Sequence, residues 1–361
     1  MSKRYIIPIF VPHYGCPHAC IFCNQKKITN MTTTTRPQDV EEIIERHLGY
    51  FWKDLPVEVA FYGGSFTAID MDIQSQLLEV PYRYKEKGII HEIRLSTRPD
   101  AIDDRILTNL KSYGVDTIEL GVQSLDEEVL ALSDRGHSRE DVYDAVKLIR
   151  EFGFNLGLQM MVGLPGDDKD KSISTAREFI NMQADLVRIY PTLVIKDTHL
   201  NYLYENNLYK PLSLEEAVDI CTILLILFNL ENIKVIRLGL QPTDNIQLGR
   251  DVVAGPFHPA FRQLVESNIY KMAIEDCLET VDYNLHGKTL TIESRASEIS
   301  SISGQKSSNI KYLKEKFGLS RIKLFPQELD KDKIKIQLED IMEILDLNLW
   351  MASYIKDCMN K

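Results

Sequence analysis

No stretch of this 361-residue chain is apolar for long. The longest run, residues 223–228 within 221–230, is far below the roughly 20 residues a bilayer helix needs. A helical membrane anchor is therefore excluded, and no membrane partner is expected. No secretory leader is expected either. Pro8, Pro12 and His13 interrupt the first apolar stretch, and no small-residue cleavage site follows. A reducing cytoplasm is the expected location. Cysteine is sparse, six in all, which excludes a disulfide scaffold in such a compartment. With 18 glycines and 14 prolines, collagen-like and disordered classes are excluded as well. Low complexity is confined to residues 32–35.

Basic charge is in deficit overall, 42 Lys and Arg against 53 Asp and Glu, for a net of −11. Such a chain does not coat nucleic acid indiscriminately, because phosphate binding follows basic charge. The deficit is uneven. Residues 1–38 contain five cations and no acid, and residues 306–323 contain six cations against Glu315 alone. Each island carries +5, leaving −21 for everything else.

The length predicts about two domains. β-rich runs at 5–11, 57–62, 89–96, 115–122, 154–162 and 186–191 alternate with helix-period segments, and a seventh lies at 234–238. Such alternation predicts βαβ units and a parallel sheet. Six or seven units suffice for an open barrel but not for a closed eightfold one. The expected fold class is α/β, a partial (β/α)6-type TIM-like barrel with a small α+β C-terminal domain. Gly, Pro and polar residues over 241–259 put the boundary there, giving domains 1–240 and 241–361. Asp100, after Pro99, is expected to cap the helix that follows the third strand.

Three cysteines, Cys16, Cys20 and Cys23, fall in one loop after the first strand. Thiolates bind soft metals, and three converging within eight residues have little other use. Zinc, completed by His13 or His18, is one reading. The other is a [4Fe–4S] cluster with one iron left open, since a fourth cysteine is not near at hand. Cys221, Cys277 and Cys358 read as structural thiols.

Further motifs stand at the other strand ends. Gly63-Gly64 permits close backbone approach; Ser96 closes strand three; Gln123 follows strand four, where barrel enzymes keep their chemistry. Arg135 precedes the capping Ser138 and suits a carboxylate. Gln159 leads into Gly163-Leu164-Pro165-Gly166, and Tyr190 into Pro191. The Cys-x3-Cys-x2-Cys run, with Phe22 before its last cysteine, resembles the signature of the radical S-adenosylmethionine (SAM) enzymes. The full succession is similar to oxygen-independent coproporphyrinogen oxidases and, more closely, to the radical SAM domain of the Elongator catalytic subunit, over about residues 5–240.

That resemblance implies Cys16, Cys20 and Cys23 on a [4Fe–4S] cluster. It implies SAM held by Phe22, Gly63, Gly64, Ser96, Gln123, Arg135, Gln159 and Tyr190. It further implies reductive cleavage of SAM to a 5′-deoxyadenosyl radical, an external electron donor of flavodoxin or ferredoxin type, and a tRNA uridine substrate. Ser65 stands where the family usually has an acid. The residues after the barrel contain no Arg/Gln-x-x-Gly-x-Gly/Ala run of the kind an acetyltransferase uses for pyrophosphate. Instead, Gly304-Gln305-Lys306-Ser307 and the basic helix behind it loosely resemble the turn and helix of KH domains, which clamp single-stranded RNA. Lys306, Lys311 and Lys314 are the expected RNA contacts. A tetrapyrrole substrate and a zinc-stabilised RNA-binding protein are the competing readings.

Overall fold

The structure, a computed structural model, describes residues 4–11, 20–24, 35–51, 55–241, 246–281, 284–339 and 341–359. The chain divides into two compact units, Met1–Ser213 with Ile233–Phe257, and Leu214–Asn232 with His258–Lys361.

The first unit is built on seven parallel strands. These are β1 (Tyr5–Phe10), β2 (Val57–Tyr62), β3 (Glu92–Thr97), β4 (Thr117–Gln123), β5 (Asn155–Val162), β6 (Leu186–Pro191) and, after the two-residue β7 (Val194–Ile195), β8 (Lys234–Leu238). Sheet order follows chain order, β1-β2-β3-β4-β5-β6-β8, as expected of successive right-handed crossovers. The crossover helices are α1 (Pro37–Leu48), α2 (Met71–Glu86), α3 (Asp104–Ser112), α4 (Glu127–Leu132), α5 (Arg139–Glu151), α6 (Lys169–Asn181) and α7 (His199–Glu205). This is the open parallel half-barrel expected of the sequence.

Strand residues alternate in chemistry as they alternate in direction. Val59, Phe61, Ile93, Leu95, Ile118, Leu120, Leu156 and Leu158 form an apolar set with essentially no exposure. The other set carries Glu58, Arg94, Ser96, Glu119, Gln159 and Arg188. An apolar face buried under helices and a polar face turned to the concave side is what a half-barrel requires.

Two local expectations are corrected. Asp103, not Asp100, caps α3, accepting from the Ile106 amide at 2.7 Å. Asp100 is taken instead by Arg98, whose Nε and Nη2 each donate to it at 2.8 Å. The Gly/Pro-rich stretch after β8 is not a linker. It carries β9 (Val252–Ala254), which pairs antiparallel with β7, and Ile246 and Val252 are wholly buried with Leu193 and Ile195. Apolar side chains spaced between turn residues hold it in the first unit.

The second unit begins with α8 (Leu214–Leu230), so the division does not fall at a single point near 240. It continues with α9 (Phe261–Glu279), β10 (Thr289–Ser294), α10 (Ile299–Ser303), α11 (Ser308–Lys316), β11 (Arg321–Pro326), β12 (Lys333–Leu338), β13 (Ile341–Asp346) and α12 (Leu347–Met359). Its four-stranded sheet has the order β11-β10-β12-β13. β10 runs parallel to β11 and antiparallel to β12. Leu290, Ile292, Ile334, Ile336 and Leu338 on one sheet face pack with Ile274 and Leu278 of α9, Ile302 and Leu313. No described helix is long and apolar enough to cross a membrane.

Candidate active site

The C-terminal ends of the strands bring several of the expected residues together. Residues 20–24 rest against the loop after α4: the Ile21 amide donates to the Ser133 carbonyl at 3.2 Å, and the Leu200 amide donates to the Ile21 carbonyl at 2.8 Å. Ile21 is buried with Val194 and Leu200, and Phe22 packs on the same cluster. Cys20 is buried and Cys23 half-buried. Cys16 lies outside the described residues.

Arg135 joins this loop to the sheet. The chain leaves α4 through Asp134 and Gly136, both left-handed, at φ 49° and 72°. The arginine between them is 7% exposed. Its Nη1 donates to the Cys20 sulfur at 3.3 Å and its Nη2 to the Gly121 carbonyl. Gly121 leaves room for that guanidinium: a Cβ there would stand 2.9 Å from Arg135 Nη2, and the arginine would have to shift. β4 bulges after it, and Gln123 takes φ 72°, a strained value for a side chain that is not glycine. Such strain marks a side chain aimed by its surroundings.

Several buried polar atoms here lack a partner among the described residues: Gln123 Oε1, Arg135 Nε, and both ring nitrogens of His137. Burial, reinforced by Arg135 and Arg98, pushes the His137 imidazole down to about 3, so it is neutral. Orphaned buried donors and acceptors are costly, and clustered at a strand mouth they describe a site shaped for a polar ligand. A cationic donor on the Cys20 sulfur suits a thiolate. These residues fit a thiolate-held cluster carrying an amino-acid-like ligand.

The remaining expected residues divide. Gly63 and Gly64 end β2 at φ 80° and 61°. Ser65 is buried and structural: its Oγ pairs with Thr97 Oγ1 at 2.9 Å and accepts from the Arg98 amide at 3.2 Å. Ser96 and Gln159 meet on the concave face, where Gln159 Nε2 donates to Ser96 Oγ at 3.2 Å and to Glu119 at 3.1 Å. Tyr190 is half-buried on β6, two residues beyond Arg188. Cys221 is buried, and burial pushes its thiol up; Cys277 and Cys358 are only half-buried.

Sequence reasoning missed the ion network below the mouth. Glu119, with no exposure, accepts from Arg94 Nη1 at 3.2 Å and from both Nε and Nη2 of Arg188. Arg94 also pairs with Glu58, which Arg4 meets at 2.9 Å. Burial would raise the Glu119 carboxyl, but Arg188 and Arg94 outweigh it and hold it below the ordinary range. Arg188 Nη2 reaches Tyr62 Oη of β2 at 2.9 Å, a bond spanning the sheet from β6. Burial pushes the Tyr62 phenol up to about 12. Gly157 leaves the room: a Cβ there would lie 2.7 Å from Glu119 Cγ. A charge at alternate positions of otherwise apolar strands was the available signal.

An open parallel half-barrel with a thiol, a guanidinium and unpartnered polar groups at its strand ends is the framework of a (β/α) enzyme. Comparison with known families specifies it. Residues 10–179 match the radical SAM superfamily, and residues 184–271 match the radical SAM C-terminal domain. The chain belongs to the radical SAM superfamily and is an enzyme of that family, whose cofactors are a [4Fe–4S] cluster and SAM. It is 29% identical over 184 residues to the tRNA uridine(34) acetyltransferase of Methanocaldococcus jannaschii, covering 45% of this chain and 34% of that protein. It is 33% identical over 143 residues to human Elongator complex protein 3, covering 38% and 26%. The structure of the archaeal Methanocaldococcus infernus Elp3 shares the fold, with a TM-score of 0.57 and 22% identity over 77% of this chain and 64% of that one. The matched region spans about a third of the length of the acetyltransferases.

Proposed function

We propose that this radical SAM enzyme acts on RNA, with a tRNA uridine as substrate. The observation that carries the site is the Arg135 guanidinium, which donates to the Cys20 sulfur and the Gly121 carbonyl beside the unpartnered Gln123 Oε1. Cys16, Cys20 and Cys23 hold the [4Fe–4S] cluster, and Phe22 packs the loop behind it. When bound, cluster and SAM supply one-electron cleavage of a sulfonium carbon–sulfur bond, with electrons from a flavodoxin or ferredoxin.

The chain's own residues position and exclude. Gly63 and Gly64 offer close backbone approach to the ammonium of SAM, and Arg135 meets its carboxylate. Gln123, Ser96 and Gln159 accept and donate at the ribose, and Tyr190 lines the pocket. The largely buried ion network beneath limits the access of bulk water to the reacting end. Lys306, Lys311 and Lys314 contact the RNA. The names of the relatives support the uridine substrate, and the basic island supports an RNA.

The test has two stages. Anaerobic reconstitution with iron and sulfide, then dithionite and SAM, yields 5′-deoxyadenosine, and Cys20→Ala abolishes it while far-UV circular dichroism is retained. Stoichiometric zinc with no 5′-deoxyadenosine sinks the site assignment. Nucleoside mass spectrometry then compares tRNA from cells with and without the protein. Identical profiles sink the uridine assignment.

A further inference from the structure

The second unit divides its cations into two populations. Lys288 pairs with Glu339 at 2.8 Å, Lys316 with Glu275 and Glu279, Lys333 with Asp330 at 2.8 Å and Lys335 with Glu293 at 2.9 Å. Lys306, Lys311, Lys314, Arg321 and Lys323 have no ion-pair partner among the described residues, and all but the half-buried Lys323 are exposed. The paired set follows the middle of the sheet and α9. Three further cations without an ion pair among the described residues of this unit, Lys271, Arg295 and Lys356, lie elsewhere. The first five flank β11 from two sides, Lys306, Lys311 and Lys314 on the turn and helix that pack the core through Leu313, and Arg321 and Lys323 on the strand's opposite face.

β11 is an edge strand, so one side of its backbone presents unmatched N–H and C=O groups. Ile322 and Leu324 pack on the core, which turns Arg321, Lys323 and Phe325 to the opposite face. Phe325 is 49% exposed, on the strand that carries two of the unpaired cations. The turn that presents Lys306 is built firmly. Gly304, Lys306 and Ser307 all take left-handed φ, at 74°, 51° and 60°. A Cβ at Gly304 would stand 2.5 Å from Ser308 Oγ. The buried Asn309 amide donates to the carbonyls of Ser267, Ser301 and Ile302 at 2.9, 3.3 and 3.2 Å.

We propose that the β11 edge is a binding surface for single-stranded RNA. Lys306, Lys311, Lys314, Arg321 and Lys323 meet phosphates, a base stacks on Phe325, and the free strand edge hydrogen-bonds to base edges. This rests on the reading that the substrate is RNA and deepens it, by naming the strand edge and the residues beyond the three lysines that recognise it. Unmatched cations beside an exposed ring are the pairing that single strands exploit: charge tracks the backbone, and π-faces accept unstacked bases. A duplex buries its base faces and has no use for Phe325.

The experiment measures fluorescence anisotropy of a labelled 12-nucleotide oligouridylate with the full chain. The expected result is binding that Phe325→Ala weakens by roughly tenfold, the scale of losing one stacked base. The combined Lys306→Gln, Lys311→Gln and Lys314→Gln variant lowers the slope of log affinity against log salt by about 2, at roughly 0.7 per phosphate contact. Circular dichroism melts confirm that each variant is folded. Parent-like binding by Phe325→Ala overturns the inference. So does equal competition by a 12-base-pair RNA duplex, or displacement by polyglutamate at matched charge, which would mark a surface for acidic protein segments. Unchanged tRNA nucleosides in cells lacking the protein sink the uridine substrate alone, and this surface stands or falls by the oligonucleotide.

Discussion

Two regions of the chain concentrate charge, and they handle it in opposite ways. On the concave face of the half-barrel, Glu58, Arg94 and Glu119 are buried, Arg188 is half-buried, and each is matched. Along α11, the turn before it and β11, five cations stand without carboxylates among the described residues. Buried charge survives only when its partners are in place. Exposed charge costs almost nothing to leave unmatched, and remains available to something outside the chain. The first region spends its charge on holding a shape. The second keeps it for a partner.

The sharpest way to break that comparison is Glu119→Ala. It strands the Arg188 guanidinium in a buried site and costs about 3–5 kcal/mol of unfolding free energy, read by urea denaturation. A loss below about 1 kcal/mol, within the range of exposed pairs, would put the network in the same class as the surface. A smaller effect tests the neutral imidazole of His137 at the mouth. His137 falls from its ordinary 6.5 to about 3 in the folded chain, so the unfolded state binds its proton first. Its stability contribution is complete above about pH 6.5 and drains as pH falls toward 3, at up to roughly 1.4 kcal/mol per pH unit. His137→Gln therefore flattens the acid limb of the stability profile; superimposable limbs would show the imidazole to be solvated. The least effect belongs to the second region. Lys311→Gln with Lys314→Gln changes stability by less than about 0.5 kcal/mol, measured in the same denaturation, and a larger loss would mean that these lysines hold structure.

How much of this could be read from the chain follows the same division. Strands that alternate with helices declare a parallel sheet, and all seven appear in chain order. The roles given to the residues around Arg135 belong to the proposed function, but the turn, cap and strand end there were legible because they are local signals. Glu119 and Arg188 were not: they are 69 residues apart, and a single charge in an apolar strand looks like an interruption until the fold supplies its counter-ion. Asp100 was expected to cap, but Arg98 claims it, and the cap falls to Asp103. β13 is not legible in the sequence, because Ile341-Met342-Glu343-Ile344-Leu345 has no clear period. The stretch after β8 was misassigned because its turn residues outnumber the two apolar side chains, Ile246 and Val252, that anchor it.

The early arrival of α8 in the second unit bears on how the chain is made and how it can be cut. Ala217, Ile220 and the unbroken run from Cys221 to Phe228 are all buried in α8, yet α9, its packing neighbour, is synthesised some thirty residues later. On the ribosome this helix emerges with its greasy surface uncovered, and must wait for α9 before it can dock. The same order condemns a truncation at residue 240: such a fragment keeps α8 without α9 and exposes a sticky rod. A deletion series on this protein should excise 214–232 together with everything from 258 onward.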